Sequence, residues 1–73
     1  MRLMNERMIE RLRKEYPAGC TIELVRMDDP QAPPEGTRGR VRGVDDAGQI
    51  MVAWETGSSL SAIYGVDEFR KID

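Results

Sequence analysis

Arg38, Arg40 and Arg42 stand at alternate positions of one short run, and that spacing is the strongest chemical signal in the chain. Alternate residues of an extended strand project from the same face, roughly 6–7 Å apart at the strand rise. Three guanidinium groups so placed form a fork-shaped donor array suited to phosphates or to the carboxylates of an acidic protein surface. The same row also reads as a solvated outer face balanced by cross-strand carboxylates such as Glu23 and Glu68. Trp54 and Tyr64 bear on the choice, because an exposed aromatic beside the row would add a stacking platform for bases. Trp54 shares a face with Ile50 and Val52 and is expected in the core. Tyr64, at a turn beside Gly65, is the expected exposed aromatic.

Other reactive groups carry less. The chain has no histidine, so acid, base or nucleophile roles would fall to carboxylates, Lys14, Lys71, the tyrosines, Cys20 or the serines. Ser58, Ser59 and Ser61 follow a turn glycine and read as hydroxyls that close the turn or face solvent. Cys20 has no base beside it in sequence and reads as an inert, partly buried thiol. Asp28-Asp29 and Asp45-Asp46 lack the ligand spacing of a calcium loop and read as turn formers. Gly36, Gly39 and Gly43 do not lead from a strand into a helix, so they make no phosphate loop; they suit bulges and bending. A non-enzymatic protein without cofactor or metal is expected.

The elements that must position these groups are legible from periodicity. Met1, Met4, Met8, Ile9, Leu12 and Tyr16 form one stripe of an amphipathic helix over about Arg2 to Glu15, ended by Pro17. Such a helix is marginal alone, so the stripe either packs on the rest of the chain or, through Met4, Met8 and Leu12, docks on a partner or a second copy. Strands are expected at Thr21 to Met27, Thr37 to Val44, Gln49 to Trp54, Ser58 to Ile63 and Glu68 to Ile72. Asp45-Asp46-Ala47-Gly48 turns the second strand into the third. The loop from Asp28 to Gly36, with three prolines, is expected as an ordered lobe. Five short strands with a long first loop and a single-turn last connection describe a mainly β fold: a small five-stranded SH3-like barrel over residues 16–73, preceded by the helix of residues 1–15. The expected core is Ile22, Leu24, Val41, Val44, Ile50, Val52, Trp54, Leu60, Ile63, Val66, Phe69 and Ile72.

Composition narrows the partner. Net charge is −2, against a sequence-independent nucleic-acid coat, although residues 1–15 sum to +2. The single cysteine excludes an internal disulfide and the lack of histidine removes the usual zinc ligand sets. No apolar run suggests a signal peptide or a membrane span, and a cytoplasmic setting is expected.

Three stretches carry a resemblance: Tyr16-Pro17-Ala18-Gly19, the run from Glu23 to Pro34, and Gly65-Val66-Asp67-Glu68-Phe69-Arg70-Lys71-Ile72. Over residues 16–72 the chain resembles an uncharacterised family of short proteins from phage, plasmid and integrated elements of Gram-positive bacteria. More distantly, Gly36-Thr37-Arg38-Gly39, Val41, Gly48, Ile50-Met51-Val52 and Trp54 are similar to SH3-like and translation-factor-type barrels whose loops contact RNA, ribosomal protein or peptide. The barrel likeness supports the fold and a binding role, and the overall acidity with the absence of a catalytic set favours a module of a mobile element that binds a host or element-encoded protein. A nucleic-acid accessory factor using Arg38, Arg40 and Arg42 is the alternative, and the helix stripe allows a dimer.

Overall fold

Asn5 starts the helix. Its backbone is extended and its Oδ1 accepts from the Met8 amide at 2.9 Å, so helix α1 runs Glu6–Glu15 behind a side-chain cap. Glu6 in the first turn and Arg13 and Lys14 in the last oppose the helix dipole favourably. The computed structural model describes residues 5–73. The expected stripe positions Met1 and Met4, and the stretch of helix expected before Asn5, lie outside the described residues. The helix ends where Pro17 requires: the Tyr16 amide still reaches Leu12 O at 2.7 Å, and the chain then turns into the first strand.

Five strands follow: β1 Thr21–Arg26, β2 Arg38–Val44, β3 Gln49–Trp54, β4 Ala62–Ile63 and β5 Glu68–Lys71. They form one antiparallel sheet in the order β4-β3-β2-β1-β5. The sheet is not closed into the expected barrel: β4 and β5 are its two edges and share no ladder. The mainly β class, the five strands and the single helix stand as expected. Asp45 builds the β2–β3 turn with its side chain, its Oδ1 accepting from the Ala47 and Gln49 amides at 3.0 and 2.9 Å. The proline-containing loop is tied back onto β1, with Leu24 N donating to Thr37 O and Gly36 N to Leu24 O at 2.8 and 2.7 Å. Pro33 is buried there.

One face of the sheet and the helix share a core. Ile9, Leu12, Tyr16 and Cys20 are buried together with Ile22, Leu24, Val41, Val44, Ile50, Val52, Trp54 and Ala62. Leu12, only 1 % exposed, therefore points into its own chain, which removes it from the set of expected partner contacts; Met8 is half-buried. Arg13 fastens the helix to the hairpin by donating from Nε and Nη2 to Val44 O at 3.2 and 3.0 Å. The core differs from expectation at its far end. Val66 is 76 % exposed because it tips a turn closed by Asp67, whose amide donates to Ile63 O and whose Oδ2 accepts from Ile63 N. Ile72 lies past the end of β5 and is exposed, while Leu60, Ile63 and Phe69 are half-buried. The helix and the link after it add Ile9, Leu12, Tyr16 and Cys20 to the core instead.

Candidate ligand-binding face

Strand β2 alternates as its sequence requires: Arg38, Arg40 and Arg42 face outward, Gly39 and Val41 inward. Gly39 is dictated by a close approach. A Cβ there would lie 2.5 Å from Val52 Cγ1 and 2.7 Å from Trp54 Cε3, so the absence of a side chain lets the indole lie flat against β2. Trp54 is 3 % exposed and donates from Nε1 to Leu60 O at 2.8 Å. Arg42 occupies a bulge, since Val41 pairs with Val52 and Gly43 with Met51. Gly43, at φ 150, supplies the backbone conformation the bulge needs.

The electrostatics of the row are uneven. Glu23 faces Arg38 on one side and Arg70 on the other in the strand register. Its carboxylate takes hydrogen bonds from Arg70 Nε, at 2.8 Å, and from Arg70 Nη2, and lies 3.6 Å from Arg38 Nε. Those Arg70 hydrogen bonds, with the charges of Arg70 and Arg38, hold the Glu23 carboxyl below the usual carboxylate range, against a smaller opposing effect of burial. Arg40 faces Thr21 and Ala53, and Glu68 pairs with Arg26 on the far side of β1. Among the described residues, neither Arg40 nor Arg42 has a carboxylate within 4.0 Å. The neutralisation expected from Glu23 thus reaches one member of the row, and Glu68 contributes none.

Tyr64 is exposed as expected, at 42 %, but it does not join the arginines. Its ring lies 6.5 Å from that of Tyr16, which in turn meets Phe69 edge-on at 5.3 Å, on the side of the sheet that carries the helix. The outward arginine face has no aromatic platform among the described residues. Burial raises the Cys20 thiol pKa, with Lys71 pulling the other way, and the residue belongs to the core. No group of three or more His, Cys, Asp or Glu among the described residues is placed to hold a metal ion. No helix among them is long and apolar enough to cross a membrane.

Sequence reasoning missed two partners of this face. Arg70 is the main counterion of Glu23, a relation set by the β1–β5 register. Ser59 and Ser61 share a cleft with Arg42, Met51 and Val52. Period-two spacing places Ser59 with Ser61, and separately aligns the arginines, but only the fold brings the two sets together.

A family model described as Domain of unknown function (DUF4314) matches residues 5–72, which includes the helix as well as all five strands. No curated protein and no solved structure matches the chain.

Proposed function

We propose, from the premise that this chain belongs to the DUF4314 family of domains of unknown function, that it is a non-enzymatic binding module which holds an acidic protein surface on the arginine face of its sheet. The observation that carries this reading is the pair Arg40 and Arg42, adjacent on one outward face and without a carboxylate within 4.0 Å among the described residues. Two outward guanidinium groups without a counterion are matched by carboxylates of a partner at little desolvation cost. The net charge of −2 and the lack of an exposed aromatic beside the row favour protein over nucleic acid. The strand order, with the long loop between β1 and β2 and one turn between β4 and β5, supports an SH3-like arrangement of the sheet. The likeness of its motifs to those of mobile-element proteins supports an action in the cytoplasm of a Gram-positive host, on a host or element-encoded protein.

Nucleic-acid binding is the second reading, favoured by the same unpaired arginines. Affinity capture from host lysate, with and without nuclease, separates the two when wild type is compared with Arg40→Glu/Arg42→Glu. A stoichiometric protein that survives nuclease and is lost with the double substitution is expected. Recovery that collapses with nuclease, and that weakens steeply with salt, would move the assignment to nucleic acid. Capture indifferent to the substitution would remove the arginine face from the function.

A further inference from the structure

We propose that the cleft beside Arg42 seats a single carboxylate side chain of an acidic protein segment, an assignment that rests on reading the arginine face as a protein-binding surface. The cleft, of about 480 Å3, is lined by Arg42, Met51, Val52, Ser59 and Ser61. It exists because β4 does not run its expected length. The β3–β4 register pairs Gln49 with Ile63 and Ile50 with Ala62, which if continued sets Val52 opposite Leu60 and Trp54 opposite Ser58. Contact does resume at the far end, where Trp54 N donates to Ser58 O at 3.0 Å. Between the two, Leu60 directs its groups elsewhere: its amide donates to Ser58 Oγ at 3.3 Å and its carbonyl accepts from the Trp54 indole. Val41, opposite Val52 on β2, exchanges its own hydrogen bonds with Gly19 and Cys20 on the β1 side. Alternation then directs the peptide groups of Val52 away from β2 and into the gap.

The walls of this gap are chemically selective. The bulge aims Arg42, which has no carboxylate within 4.0 Å among the described residues. Ser59 and Ser61, two apart, bring hydroxyls to the opposite wall. The hydroxyls of Thr56 and Ser58 are the ones that close the preceding turn, accepting from Ser58 N and Leu60 N. One guanidinium matches one carboxylate charge and binds it through two parallel hydrogen bonds, whereas a phosphate monoester brings about two charges. Met51, 39 % exposed, offers an apolar wall to the methylene stem of a glutamate or aspartate.

The test is a titration of the 15N-labelled full chain followed by amide shifts, with three probes: an acetylated, amidated Glu-Ala-Glu-Ala-Glu peptide, inorganic phosphate, and oligothymidylate. The peptide is expected to move the amides of Met51, Val52, Ser59 and Ser61. Its affinity is expected to fall about tenfold in Arg42→Gln, the loss of a charge-assisted pair, and less in Ser59→Ala/Ser61→Ala, with dispersed spectra showing both variants folded. Peptide shifts confined to Arg38 and Arg40, and unaffected by Arg42→Gln, would overturn the cleft and leave the face standing. Phosphate or oligothymidylate moving the same amides at lower concentration would overturn the carboxylate. No shift on the face with millimolar peptide would overturn both.

Discussion

Glu23 is the residue on which the charge balance of the outer face turns. Because its folded pKa is lowered from the ordinary 4.5, the folded state prefers the ionised form. The stabilisation is present above the unfolded pKa and is lost as pH falls through the lowered folded value. Thermal melts of wild type and Glu23→Gln should therefore differ most at neutral pH, with the variant lower, and converge in acid below 4.5. A difference that persisted unchanged into strong acid would mean that Glu23 acts through packing and not through its charge. Gly39 is the second decisive residue. Since a Cβ would meet Val52 and Trp54 at 2.5 and 2.7 Å, Gly39→Ala should destabilise the protein by about 1–3 kcal/mol in urea unfolding, with Trp54 fluorescence altered in the native state. Sequence offers Glu23 as a counterion of the arginine row but not its pairing with Arg70, and glycine at a strand position suggests a bulge or close approach but not which ring approaches it.

At the scale of the element, α1 is a structural member of the core. Its apolar stripe was open to two readings, packing on the chain or docking on a partner, and the burial of Ile9, Leu12 and Tyr16 beside Ile22 and Val41 selects the first for those residues. Leu12→Ala should cost about 2–5 kcal/mol, the range for a large-to-small change in a packed core, measured by urea unfolding. Deleting residues 1–15 removes part of that core, so lost binding in such a truncation would report unfolding as readily as a lost contact. Strand β4 shows the opposite relation between sequence and element. The alternation of Leu60 and Ala62 with Ser59 and Ser61 describes a strand, yet the ladder holds only Ala62–Ile63. The Trp54 indole takes the Leu60 carbonyl and Ser58 takes its amide, and side-chain hydrogen bonds of that kind compete with the ladder.

At the scale of the whole molecule, helix and sheet bury a single cluster among the described residues, which makes one cooperative transition the expected behaviour. Helical ellipticity and Trp54 fluorescence should melt at the same midpoint; separated midpoints would show that α1 detaches before the sheet unfolds. The edges of the sheet are guarded by a two-residue β4 and by charges on β5, Glu68, Arg70 and Lys71, which disfavour edge pairing with another chain. Local pattern was sufficient for much of this architecture. Period-two and period-3.6 spacing, Pro17, and the Asp45–Gly48 turn specify the helix, the central hairpin, the outward arginines and the buried Trp54, because each depends on neighbours within a few residues. Tertiary structure alone decided the rest. Whether the sheet closes, which arginines Glu23 neutralises, and that Arg42 meets Ser59 and Ser61 depend on register between segments distant in sequence. A register is set by the packing of whole faces, a property no single segment carries.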